Sequence, residues 1–245
     1  MPHRLFVELA LSEGLTCSLP EGPTRHTQVL RMQPGDALTL FNGQGGEWSA
    51  TVDAMSRSET VVCIGSYVEC SRELPVRVTL AVGMPANERM DWLVEKAAEL
   101  GAFAIQPLEC QRSVLRLSGA RADKRVTHWQ AVAISACEQS GRTAVPIVHP
   151  IRTAADWLVA SAQPGTHLDI KRYVLSLREA TDFASTLGRA ADLRDAMFFS
   201  GPEGGLTEGE EAAALAAGFA PVSLGPRVLR ADTAPLAALA ILGAR

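Results

Sequence analysis

Two short segments near the carboxyl end hold the residues best suited to chemistry. The first, Gly201-Pro202-Glu203-Gly204-Gly205, follows an apolar run ending at Ser200, and Thr207 and Glu210 behind it have capping-box spacing. In the second, Val222-Ser223-Leu224 leads into Gly225-Pro226-Arg227-Val228-Leu229-Arg230. Asp232 or Thr233 then stands where a cap would start a terminal apolar helix with Pro235 in its first turn. Each segment reads as strand, loop and helix. The glycines allow positive φ and let a ligand approach the main chain closely, so these loops offer backbone groups rather than a reactive side chain. Side by side at the carboxyl ends of neighbouring strands, they would form the edge where open α/β sheets bind ligands.

Other chemistries are disfavoured. The turn Asn42-Gly43-Gln44-Gly45-Gly46 lacks the lysine and Ser/Thr of a phosphate-binding P-loop and has strand-like sequence on both sides. A dinucleotide fold needs G-x-G-x-x-G after the first α/β strand, whereas the stretch from Val76 to Arg89 has only Gly83. Cys17, Cys63, Cys70, Cys110 and Cys137 are scattered singly, with no C-x-x-C pair and no histidine at metal-ligand spacing, so no metal is expected and the thiols suit a reducing compartment. His149 and His167 have no motif around them.

The elements that must position the two loops follow from patterning. Up to residue 72, short alternating segments are broken by turn formers. Leu38 to Phe41, the glycine turn, Trp48 to Val52 and Val61 to Ile64 predict a hairpin and a further strand of a small β-barrel. From residue 73 the character changes to strands alternating with amphipathic helices, the signature of a parallel α/β sheet. Strands are predicted at Val76–Val82, Phe103–Pro107, Val145–Val148, Tyr173–Leu177 and Ala196–Ser200. A helix is predicted over Arg89–Leu100, with Met90, Leu93, Val94, Ala97 and Leu100 on one stripe and Gly101 as its stop. Others are predicted over Ala122–Ser140 and near Ala154–Ala162.

With 47% hydrophobic and 20% charged residues, the 245-residue chain can bury one large or two smaller cores. No apolar stretch approaches the roughly 20 residues that span a bilayer, and Glu8 interrupts any signal-peptide core, so a soluble cytoplasmic protein is expected. The net charge of −4 does not advertise nucleic acid, but Arg112, Arg116, Arg121, Lys124 and Arg125 stand against the single acid Asp123 between Gln111 and His128.

The paired loops, through Leu206-Thr207 and Asp232-Thr233-Ala234, resemble in order and spacing the C-terminal signature of the RsmE family of 16S ribosomal RNA (uracil-N3)-methyltransferases. Similar segments occur along nearly the whole chain: Arg4-Leu5-Phe6-Val7, His26 with Leu30-Arg31 and Gly35-Asp36, Glu95 to Gly101, Gln111-Arg112-Ser113 and Glu138 to Arg142. Three positions depart from the family pattern: Asp232 replaces a glutamate, Cys110-Gln111-Arg112 an acid-arginine pair, and Leu177-Arg178-Glu179-Ala180 a His-Pro-Glu-Ala-like turn.

The resemblance implies a SPOUT-type, trefoil-knotted parallel-sheet domain over 73–245, preceded by a PUA-like RNA-binding barrel over 1–72. It also implies S-adenosylmethionine as cofactor and a homodimer acting on 16S ribosomal RNA or the assembled small subunit. The cofactor would lie against Leu224, Gly225 and Leu229, with room given by Gly201, Gly204 and Gly205. Leu177 would close the pocket, and Glu203 and Thr233 complete the cofactor set. Uracil N3 carries a proton at neutral pH, so a base must remove it. Arg230 or Arg227 would stabilise the developing anion, and Asp232 is either that base or a helix cap. Phosphate contacts are expected from Arg4, Arg25, His26, Arg31, Arg112, Arg116 and Lys124, while Glu138 and Arg142 would form an ion pair or a dimer contact. Transfer to another nucleotide, or RNA binding without catalysis, stays open as an alternative.

Overall fold

In a computed structural model, residues 2–86, 88–162, 170–187 and 193–244 are described. His167 lies outside them. The chain divides into two compact units, Met1–Glu73 with Cys137–Val145, and Leu74–Ala136 with Pro146–Arg245. Sequence patterning gave no hint that 137–145 groups with the first.

The first unit is built on a five-stranded sheet in the order β1-β3-β4-β5-β2. These strands are β1 (His3–Phe6), β2 (Thr16–Ser18), β3 (Ala37–Phe41), β4 (Glu47–Met55) and β5 (Thr60–Val68), with helix α1 (Glu21–Val29) between β2 and β3. β3 and β4 form the expected hairpin, Leu38 opposite Ala50 and Leu40 opposite Trp48. Alternation works as anticipated: Val62 and Ile64 are buried while Cys63 between them is exposed. The core gathers Leu5, Leu38, Leu40, Val52, Val62 and Ile64. β1, at the sheet edge, has its Phe6 N–H taken by the Glu138 carboxylate at 2.9 Å, which blunts an otherwise open edge.

The second unit is an eight-stranded sheet, ordered β11-β13-β10-β12-β6-β7-β8, with β9 pairing β7 off that path. Its strands are β6 (Arg77–Gly83), β7 (Ala104–Glu109), β8 (Ile147–Val148), β9 (Arg152–Thr153), β10 (Ile170–Leu175), β11 (Thr181–Asp182), β12 (Asp195–Ser200) and β13 (Ala220–Ser223). The helices are α2 (Arg89–Glu99), α3 (Gly119–Ser140, counted with this unit up to Ala136), α4 (Ala154–Ser161), α5 (Phe183–Leu187), α6 (Glu208–Ala216) and α7 (Thr233–Gly243). Every paired strand in this sheet is parallel. Residues 78–82 of β6 and 196–200 of β12 are buried almost throughout, as interior parallel strands must be when both faces are covered.

Two expectations need correction. Leu100 is the C-cap of α2 and 37% exposed, so the buried stripe ends at Ala97 and Ala98. β10 stops at Leu175, two residues short of Leu177. Among the described residues, no helix is long and apolar enough to cross a membrane.

Candidate active site

The helices behind the two glycine loops start differently. Thr207 and Glu210 form a complete capping box on α6: the Thr207 hydroxyl accepts from Glu210 N–H, and the Glu210 carboxylate accepts from Thr207 N–H. Asp232 occupies the N-cap position of α7, but its side chain makes no capping hydrogen bond. The Arg230 carbonyl instead accepts from Thr233 and Ala234 N–H, both at 3.0 Å. The cap role considered for Asp232 therefore does not hold; its carboxylate only accepts from its neighbour's hydroxyl, Thr233 Oγ1, at 3.4 Å.

A web of side-chain contacts fixes the first loop. Buried Glu210 also accepts from Gln111 N–H at 2.8 Å, and Arg112 donates to the Gly204 and Leu206 carbonyls at 3.0 and 3.3 Å. Glu203 accepts from Ala86 N–H at 2.9 Å, which ties the glycine loop to the end of β6. Glycine is required for packing at Gly201, where a Cβ would lie 2.7 Å from Leu206 N. At Gly83, absent from the candidate residues, a Cβ would lie 2.6 Å from Pro202. Gly205 and Gly225 hold φ of 69° and 100°, a region L side chains rarely adopt.

Between these loops and the turn after β10 lies a cavity of about 710 Å³, within the roughly 300–1,000 Å³ typical of small-molecule sites. Its floor comes from the sheet, and its walls include Gly201, Glu203, Gly205, Leu224, Leu229 and Leu177. These are six of the nine expected cofactor residues. Gly204, Gly225 and Thr233 do not line it: Gly204 faces Arg112, Gly225 supplies a backbone bend, and Thr233 is exposed on α7. Both Arg227 and Arg230 border the cavity, solvent-exposed and with no ion pair among the described residues, whereas Asp232 does not border it.

Several lining residues escaped the sequence reading. Ser176 donates to Glu211 at 3.2 Å and accepts from Arg178 N–H at 3.0 Å, so the turn that carries Leu177 is braced from below. Arg89 opens α2 at the cavity rim. A cation at a helix N-terminus opposes the helix dipole, and that local misfit was the available signal. Ser200 ends a run of large apolar residues, and its Oγ is buried with no hydrogen-bond partner among the described residues.

The expected phosphate contacts separate into two groups. Arg4 is mostly buried; it pairs with Glu47, donates to the Gly141 and Arg142 carbonyls and stacks over Phe41. Arg112 is committed to the glycine loop. The Arg4 expectation is corrected, since its mostly buried guanidinium is taken up by these partners, whereas Arg112 is exposed and uses only its Nη1 on the loop. Arg116 pairs with Glu109 and Arg25 with Glu21, while Lys124 and Arg31 are exposed. His26 lies 3.4 Å from Glu138. Glu138 and Arg142 do not pair: Arg142 is clamped on Glu73, and burial pushes the Glu138 carboxyl up, only partly offset by the Phe6 N–H. Burial likewise lowers His149 and pushes the Cys110 and Cys137 thiols up to about 12 and about 11. Among the described residues, no group of three or more His, Cys, Asp or Glu could hold a metal.

Known proteins resemble this chain in sequence and in fold. An RNA methyltransferase domain family matches residues 72–243, and an RNA methyltransferase PUA domain family matches residues 25–62. The ribosomal RNA small subunit methyltransferase E of Bacillus subtilis is 30% identical over 98% of this chain and 95% of its own. A Neisseria gonorrhoeae ribosomal RNA small subunit methyltransferase E, solved bound to S-adenosyl methionine, superposes with a TM-score of 0.87 at 37% identity, covering 98% of this chain and 96% of that one. A Legionella pneumophila protein solved in complex with bound SAM superposes at 0.90 with 30% identity, covering 100% of this chain and 98% of the other.

Proposed function

Because the chain belongs to the RNA methyltransferase family of ribosomal RNA small subunit methyltransferase E, we propose that it transfers a methyl group from S-adenosylmethionine to 16S ribosomal RNA, with uridine N3 as acceptor. The observation that carries the reading is the cavity itself. Two independently predicted loops meet around one space of about 710 Å³, lined by apolar side chains such as Leu175, Leu206 and Val222 and by charged ones such as Arg227, Arg230 and Glu203. Such a lining fits a cofactor with a flat purine at one end and charged groups at the other. When bound, S-adenosylmethionine supplies a methyl on a positively charged sulfur, activated toward a nucleophile.

The protein's own groups do the rest. Loss of the N3 proton leaves negative charge over O2 and O4 of the uracil. Arg230, which lines the cavity and has no ion pair among the described residues, can face that charge, as can Arg227. Asp232 lies off the cavity wall, which argues against its carboxylate as the proton acceptor. Holding cofactor and base in one geometry contributes through orientation, worth roughly 7–11 kcal/mol in favourable cases. The PUA-type unit would dock the RNA, and exposed Arg31 and Lys124 are the best-placed phosphate contacts. The position of β10 between β12 and β13 supports a knotted threading of the last segments. We place the enzyme in the cytoplasm as a homodimer.

Deleting the gene and digesting ribosomal RNA for mass spectrometry tests the assignment. One missing 3-methyluridine in 16S RNA, restored by the purified protein and S-adenosylmethionine on small subunits from the deletion strain, is expected. A different missing methyl group would redirect the acceptor. An unchanged methylation pattern together with no saturable cofactor binding would favour RNA binding without catalysis.

A further inference from the structure

Among groups outside the assigned set, the Ser200 hydroxyl stands out. It is the last residue of β12, only 3% exposed, and its Oγ has no hydrogen-bond partner among the described residues. A buried hydroxyl left unpaired is destabilising, so native structures rarely keep one without a use.

Strand register shows which way it faces. Tyr173 of β10 pairs with Phe198 of β12, which puts Leu175 and Ser200 on one face. Leu175 in turn pairs with Val222 of β13. Leu175, Val222 and Ser200 all line the cavity. Ser200 thus stands among the apolar side chains of Leu175, Val222, Leu206 and Ala234, while charged residues of both signs, Arg89, Arg178, Arg227 and Arg230 with Glu203 and Glu211, line the cavity from its loops and the starts of α2 and α6.

Resting on the cofactor reading above, we infer that the Ser200 hydroxyl is the polar contact that seats the purine ring of the cofactor on this floor. The apolar floor suits the flat ring and the charged surround suits the amino-acid end. The Oγ itself is buried, so rotation about the serine Cα–Cβ bond would have to turn the hydroxyl toward the bound ring. A hydroxyl can donate to a ring nitrogen or accept from an exocyclic amine, so Ser200 would be a positioning and specificity residue for the nucleoside.

The test is calorimetry of the full-length protein with two probes, S-adenosylhomocysteine and 5′-methylthioadenosine, which lacks the amino-acid end. Ser200→Ala should weaken both by about tenfold, roughly the worth of one hydrogen bond, while the melting temperature of the free protein holds or rises because an unpaired group is gone. Ser200→Cys, a slightly larger side chain with a weaker donor, should also bind both more weakly and covers the case of an alanine variant that does not fold. Affinities within twofold of wild type for both variants, or a loss confined to S-adenosylhomocysteine, would overturn the inference. A fall in melting temperature at unchanged affinity would overturn it too, by assigning Ser200 a structural role. If the wild-type protein binds neither probe, the cofactor reading itself fails and this inference falls with it.

Discussion

Removing the Glu210 carboxylate is the most informative perturbation of the scaffold beneath the cavity. Its two oxygens accept from Gln111 N–H at 2.8 Å, Thr207 N–H at 2.9 Å and Thr207 Oγ1 at 3.0 Å, in a residue only 6% exposed. Glu210→Ala leaves two main-chain donors unpaired, at about 1 kcal/mol each for partly buried groups. It also removes the acceptor of the Thr207 hydroxyl, for about 1 kcal/mol more. The sum of about 3 kcal/mol corresponds to a fall of about 6–12 °C in melting temperature for a chain of this size. Glu210→Gln keeps one acceptor oxygen and should lose about half as much. Because the same carboxylate joins the start of α6 to the segment that carries Arg112, cofactor affinity should fall alongside stability in the alanine variant. Thermal melts followed by circular dichroism, with calorimetry at a temperature where both variants are folded, read out the two effects. A drop of under 2 °C for Glu210→Ala would refute the reasoning, because it would mean that these donors find water at no cost.

The other predictions follow from single contacts. Gly201→Ala sets a Cβ 2.7 Å from Leu206 N and 2.8 Å from Gly205 C, both main-chain atoms, so the loop must shift and calorimetry should show at least about a tenfold loss of cofactor affinity. Arg230→Ala should lower turnover more than cofactor affinity, and equal losses in both would contradict its role in stabilising negative charge. Arg112→Ala should weaken the cofactor and leave the salt dependence of RNA binding unchanged, whereas Lys124→Ala should reduce that salt slope by about 1; the reverse pattern would return Arg112 to the phosphate contacts. For the thiols the shift is upward, from the ordinary value of 9.0 to about 12 at Cys110 and about 11 at Cys137. Their contribution to stability is therefore complete below pH 9 and is lost as pH rises through 11 to 12. Urea titrations should show wild type losing stability between pH 9 and 11 faster than a Cys110→Ala/Cys137→Ala variant, and parallel curves would count against burial of the thiols.

How much of this was legible in the chain depends on whether a residue's role is set by its neighbours in sequence or by distant ones. The parallel core strands were legible because burial on both faces demands an unbroken apolar run, as in β6 and β12. The α6 start was legible because a capping box is local by construction. Helix α1 was not: its nine residues include Gly22 and Pro23, and its buried positions are Thr24 and Thr27, so neither propensity nor an apolar stripe announces it. The charges are the sharper case. Arg112, Arg116 and Lys124 share one basic run, yet Arg112 is bound to carbonyls 92 and 94 residues away, Arg116 to Glu109, and Lys124 stays exposed on α3. A positive run states only how much charge is available. Whether a guanidinium is left for phosphate depends on which carbonyls and carboxylates the fold brings within 3 to 4 Å, and Coulomb attraction at that distance outweighs any preference carried by the run itself. The same logic bears on the acidic net charge. Since Glu47, Glu73 and Glu109 are matched by Arg4, Arg142 and Arg116, the potential that RNA meets is set by where the unmatched charges of both signs lie, and a global count of −4 is a poor guide to it.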